Sequence, residues 1–134
     1  MIFNIAKNSI QNRDTIDVPE ISFWEYYMRT TAMMRNIYLT DSEFRVFSYI
    51  LAGDKSISYF KGDNATILCK KLKLKRPNLC KIRDRLLSYK FLERGVGRGD
   101  FIITTSLGKL QEFVKTKISN GETMEIAMPL NITT

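Results

Sequence analysis

A chain of 134 residues, 44% hydrophobic and 26% charged, has the composition of one ordinary globular domain and is long enough to bury a core. It has no histidine, which removes the commonest general base and metal ligand, and its 2 cysteines make neither a disulfide framework nor a metal-binding spacing, so no cofactor or metal is expected. No apolar run has the length of a membrane span and no signal-peptide pattern opens the chain, so no membrane partner is expected and the expected location is the cytoplasm, or the interior of a virus particle.

Residues 1–20 are polar and weakly patterned, with a break at Asp17-Val18-Pro19, and read as an arm or as a strand laid on the domain. Ser22-x-x-Glu25 has the form of a capping box and predicts a helix through Phe23, Trp24, Tyr27, Met28, Ala32 and Met34. Thr40-x-x-Glu43 predicts a second, with Phe44, Phe47, Ile50 and Leu51 inward and Gly53 ending it. Ile57 to Phe60 is β-branched and aromatic and suits a short strand, and Asp63 or Asn64 is placed to cap a third helix.

From Leu68 to Ile82 the pattern is helix, tight turn, helix. Leu68 and Leu72 are one turn apart; Leu74 sits in the turn; Leu79, Ile82 and Leu86 form the inner stripe of the next helix. Pro77 falls in its first turn, where a missing N–H costs little. Pro77, Cys80, Lys81, Asp84, Arg85 and Ser88 fall on the opposite side of the helical wheel, with Arg76 and Asn78 at its N-terminal end. Leu92 to Ile103 then reads as strand, glycine-rich turn, strand. Ser106 is placed to cap a last helix through Leu107, Leu110, Phe113, Val114 and Ile118, and the chain after Asn120-Gly121 reads as a loosely held tail.

The charge is concentrated on the same segment. Lys61 to Arg98 holds twelve Lys or Arg against Asp63, Asp84 and Glu93, a net +9 that leaves −2 for the remainder of the +7 chain. Such concentration favours a polyanionic partner through phosphate neutralisation and counterion release; the plainer alternative is a solvated lysine-rich surface.

From Thr66 to about Phe113 the chain resembles a winged helix-turn-helix, nearest to the MarR-type transcriptional regulators. The resemblance rests on the apolar positions of the two helices, on the glycine-rich hairpin that follows, and on Thr105-Ser106-Leu107-Gly108, which is similar to the segment that closes the wing in that family. Two positions depart from it: Lys73 stands where a turn glycine is usual, at a steric cost of roughly 1 kcal/mol if its φ is positive, and Cys69 replaces an alanine. The resemblance implies a mainly α protein with a small β-hairpin wing (α+β), divided into an arm at 1–20, a winged helix-turn-helix domain at 21–118 and a tail at 119–134. The helix-turn-helix would span about 64–90 and the wing about 91–105.

It also implies double-stranded DNA as the partner, with a role in transcriptional regulation. Lys75, Arg76, Asn78, Lys81 and Arg85 would meet the major groove, where arginine and asparagine can each bind a base by two bonds. Arg98, at the wing tip between Gly97 and Gly99, would meet the minor groove or the backbone, and Arg94 a phosphate. A homodimer through the N-terminal and C-terminal helices is the expected assembly, since one short recognition helix seldom gives enough specificity alone. The aromatic helix and Cys69 also fit plain core. Cys80 lies near basic residues, but a sensing thiol needs a lowered pKa and access. Gly95-Val96-Gly97-Arg98-Gly99 lacks the lysine-serine or lysine-threonine ending of a phosphate-cradling loop, and the chain is not expected to be an enzyme. The alternatives are a phage or plasmid replication or packaging factor that binds DNA, and a winged-helix module for protein partners.

Overall fold

The computed structural model describes residues 20–54 and 56–120 with their side chains, and the backbone of 2–6, 16–19 and 124–127. The elements run β1 (Ile2–Ala6), β2 (Ile16–Pro19), α1 (Glu20–Met34), α2 (Asp41–Ala52), α3 (Gly62–Leu72), α4 (Arg76–Ser88), β3 (Leu92–Arg94), β4 (Phe101–Ile103), α5 (Thr105–Ser119) and β5 (Met124–Ala127). The described residues are therefore mainly helical, with a two-stranded antiparallel sheet inserted between α4 and α5: an α+β arrangement. A second sheet joins the two ends of the chain in the order β2-β1-β5, with β1 parallel to β2 and antiparallel to β5. Part of the tail expected to be loosely held thus forms strand β5. None of the described helices is long and apolar enough to cross a membrane.

The core follows the helical periodicities. Phe44, Phe47, Ile50 and Leu51 of α2 are buried, as are Leu68, Leu79, Ile82 and Leu86 from the α3–α4 pair. Phe23, Trp24, Met28 and Ala32 of α1 join the same core, with Phe23 and Trp24 packed edge to face at 5.0 Å between ring centroids. The aromatic stripe of α1 is therefore interior. Met34 at its C-terminal end is 64% exposed, and in α5 Phe113 is 54% exposed while Gln111 is buried, donating from Nε2 to the carbonyl of Leu51 at 2.8 Å. A buried glutamine with one good partner takes the place periodicity assigns to a hydrophobe.

Several helix starts differ from expectation. Thr40 and Glu43 form the full capping box: Thr40 Oγ1 accepts from Glu43 N at 3.3 Å and Glu43 Oε1 accepts from Thr40 N at 2.8 Å. The box at Ser22 does not form. α1 begins two residues earlier at Glu20, whose carboxylate is held at 3.0 Å by Lys115 of α5, so a tertiary ion pair and an acid at the positive end of the helix set this start. Neither Asp63 nor Asn64 caps α3; Lys61 is the N-cap residue without a side-chain bond, and Gly62 at φ +57 turns the chain sharply into the helix. Thr104, not Ser106, precedes α5. Ile57 to Phe60 is turn and bend instead of strand: its rings are drawn into packing, Tyr59 against Tyr49 at 6.1 Å and Phe60 against Phe101 at 6.0 Å.

The turn between α3 and α4 takes the conformation that normally wants glycine. Lys73 is left-handed at φ 56 and ψ 49, and its neighbour Leu74 donates its N–H to the carbonyl of Cys69 at 2.9 Å. Lys73→Gly is expected to raise stability by about 0.5–1 kcal/mol, because the left-handed penalty on a side-chain-bearing residue is roughly 1–2 kcal/mol and glycine's extra chain entropy only about 0.5–1 kcal/mol. Leu68→Ala is expected to cost about 2–5 kcal/mol by cavity formation, and Leu72→Ala less, since Leu72 is only partly buried. Urea denaturation of the three variants checks both statements; a lowered midpoint for Lys73→Gly contradicts the strained turn.

Candidate nucleic-acid interface

The residues singled out on α4 fall where the helical wheel puts them. Lys75 precedes the helix as its N-cap residue, and Arg76, Asn78, Lys81 and Arg85 are exposed while Leu79, Ile82 and Leu86 are buried. Asn78, Lys81 and Arg85 line one side of a cleft of about 240 Å³, faced across it by Thr40, Ser42 and Glu43 at the start of α2. Arg76 Nη1 donates to Thr66 Oγ1 at 3.2 Å, which steadies the start of α4 against α3. Cys69 is buried and Cys80 half-buried, and neither is in a disulfide.

Arg85 differs from its neighbours. Its Nε donates to Glu43 Oε2 at 2.6 Å and its Nη2 to the carbonyl of Tyr38 at 2.8 Å. Glu43 is only 2% exposed, so the pair places a carboxylate of the core against a guanidinium whose side chain is 46% exposed. The hydrogen bond from Arg85 to Glu43, and then the charge of that carboxylate, push Arg85 further above the ordinary arginine range.

The hairpin is anchored from two sides. Leu92, Glu93 and Arg94 pair with Ile103, Ile102 and Phe101. Both the Arg83 guanidinium of α4 and the Arg94 guanidinium lie over the Phe101 ring, at 4.8 Å and 5.6 Å from its centroid, which couples α4 to the hairpin. The loop of residues 95–100 wraps the side chain of Asp100, whose Oδ1 accepts from Ser58 Oγ at 3.3 Å and from Lys61 Nζ at 3.4 Å. The glycines serve this wrapping: a Cβ on Gly97 would come within 2.2 Å of Asp100 Oδ2, and one on Gly95 within 2.9 Å of Asp100 Cβ. Arg98 is exposed at the turn, followed by Gly99 at φ +79.

The structure therefore groups Lys75, Arg76, Asn78 and Lys81 at one end of α4. It sets Arg98 apart on the hairpin tip and lays Arg94 on an aromatic ring. Sequence reasoning missed Lys61, Arg83, Glu43 and Asp100 as parts of this surface. Glu43 alone carried a local signal, its place in the capping box; the partners of Lys61 and Glu43 lie 39 and 42 residues away in sequence. Of the twelve cations between Lys61 and Arg98, Lys61, Arg83 and Arg85 are ion-paired, and the other nine form no ion pair with a described residue.

A larger groove, about 550 Å³, runs between the 56–60 loop, the hairpin and α5, lined in part by Ile57, Phe60, Phe101 and Ile103, and is separate from the cleft on α4. Among the described residues no group of three or more His, Cys, Asp or Glu could hold a metal ion. No family model, curated protein or solved structure matches the chain.

Gly97→Ala is expected to displace the 95–100 loop and release the Lys61–Asp100 contact while leaving the helical core intact. Amide exchange should then speed up in residues 92–103 with little change in far-UV circular dichroism; unchanged exchange there would show that Asp100 does not organise the loop.

Proposed function

We propose that this chain is a winged helix-turn-helix protein that binds double-stranded DNA, with α3 and α4 as the two helices of the motif, α4 as the recognition helix and the β3–β4 hairpin as the wing, and that it serves in transcriptional regulation. One observation carries the reading: the exposed end of α4 presents Lys75, Arg76, Asn78 and Lys81 on a helix whose opposite face is buried, within a segment where nine cations form no ion pair with a described residue. A cationic helix face together with an exposed arginine on the hairpin tip suits the chemistry of a duplex, where phosphates position the protein and base edges specify the site. Arg76 and Asn78 are the residues for base edges; Lys75 and Lys81 suit phosphates; Arg98 suits the minor groove or backbone. A homodimer through the terminal helices would place two copies of α4 on paired half-sites.

Duplex binding should be steeply salt-dependent. Neutralising about five phosphates gives a log–log slope near −4.5. Arg76→Ala or Asn78→Ala should each cost roughly 1–3 kcal/mol on the preferred site and relax sequence preference, whereas Arg98→Ala should weaken different sequences more evenly. A mobility-shift titration over a salt series, with sites drawn from random-sequence selection, reads all of these. No complex at low salt, or a salt-insensitive one, sinks the reading, and capture of protein partners without DNA binding would favour an interaction module.

A further inference from the structure

We infer that Arg85 is a positioning residue of the DNA face and not one of its contacts: by holding Glu43 it fixes the seat of α4 on α2, and Lys81 and Asn78 beside it make the contacts. The inference rests on the DNA-binding reading and deepens it. In sequence Arg85 follows Lys81 by one helical turn and so belongs to the same outward stripe. In space it faces back. Nε is engaged by Glu43 at 2.6 Å and Nη2 by the Tyr38 carbonyl at 2.8 Å, while the other Glu43 oxygen accepts from Thr40 N at 2.8 Å.

Turning Arg85 toward a phosphate would leave a carboxylate that is 2% exposed without its cation. A buried charge stripped of its partner is strongly unfavourable, so the swap is opposed. The geometry also sets what Arg85 does for its neighbours. Tyr38 belongs to the α1–α2 connection and Glu43 to the first turn of α2, so one guanidinium pins α4 to two separate segments. Glu43 also lines the cleft that Asn78 and Lys81 share. Neutralised by Arg85, it does not present an uncompensated negative charge where a phosphate would approach.

The experiment compares wild type, Lys81→Ala, Arg85→Ala, Arg85→Lys and Glu43→Gln in duplex binding across a salt series, using variants with the wild-type far-UV spectrum. Each lost phosphate contact lowers the magnitude of the log–log slope by about 0.9. Lys81→Ala should show that drop. Arg85→Ala should lose affinity by a constant factor at every salt concentration with the wild-type slope retained, and Arg85→Lys, which keeps the charge but not the two-pronged geometry, should lose nearly as much. Glu43→Gln keeps a residue the capping box accepts and removes a negative charge, yet should bind more weakly, since α4 loses its ionic anchor. If Arg85→Ala does not fold, Arg85→Lys and Glu43→Gln carry the test. A slope lowered in Arg85→Ala as in Lys81→Ala, a wild-type affinity in Arg85→Lys, or unchanged or tighter binding by Glu43→Gln overturns the inference while the DNA reading stands. Failure of the wild-type protein to bind duplex at low salt overturns both.

Discussion

The carboxylate of Glu43 is the constraint around which the rest is arranged. It is 2% exposed, and a carboxylate taken from water costs several kcal/mol unless it is paired and hydrogen-bonded. Both of its oxygens are accounted for, one by the backbone N–H of Thr40 and one by Arg85. The first bond fixes the start of α2 and the second fixes α4 against it. Removing one partner of a fully buried pair costs roughly 3–5 kcal/mol; the figure is lower here because the Arg85 side chain is 46% exposed and water screens the charge it faces. The pair is better understood as fixing where α4 sits than as a source of net stability.

The same device recurs at the other junctions. Arg35 donates to the carbonyl of Tyr89 beyond α4 at 3.3 Å, and Arg45 of α2 to the carbonyl of Leu72 at the end of α3 at 3.4 Å. Helix C-termini leave carbonyls without intrahelical partners, and a guanidinium supplies both the hydrogen bond and a favourable charge. Lys115 acts alike at 2.9 Å on the carbonyl of Ala52 at the end of α2, while also holding Glu20. Some cations thus knit helix ends together, while nine between Lys61 and Arg98, on α3, α4, the hairpin and the turns between, form no ion pair with a described residue.

What could be read from the sequence was what depends on local periodicity. The buried stripe Leu68, Leu79, Ile82 and Leu86 follows from spacing, and the Thr40–Glu43 box follows from a four-residue pattern whose bonds close within it. The start of α1 was misread because the deciding contact, Lys115 to Glu20, spans 95 residues. The pairing of Arg85 with Glu43 was not legible for a related reason: the wheel gives the direction in which its Cα–Cβ bond leaves the helix, but a long side chain can turn back to a carboxylate 42 residues away. Ile57 to Phe60 has the composition of a strand, and its aromatic rings instead find partners in Tyr49 and Phe101, a tertiary choice that overrides β-propensity. The sheet joining β1, β2 and β5 pairs segments from opposite ends of the chain, and no local pattern encodes such pairing.

The separation between structural and uncompensated cations bears on how a polyanion would be met. Nine cations on one continuous stretch that form no ion pair with a described residue repel one another, and the folded state bears that repulsion. Four of them, Lys70, Lys71, Lys73 and Lys75, crowd the end of α3 and the turn before α4, where Lys73 already carries backbone strain. Neither the crowding nor the strain improves the packing of the core. In the DNA reading the two features serve one end: the left-handed turn lets α4 start abruptly, so that Lys75 and Arg76 stand at an exposed helix start, and the phosphates of a bound duplex supply the missing counter-charge. Those costs fall on the face proposed to act, while the Arg85–Glu43 pair proposed to fix its orientation lines the same cleft as Asn78 and Lys81.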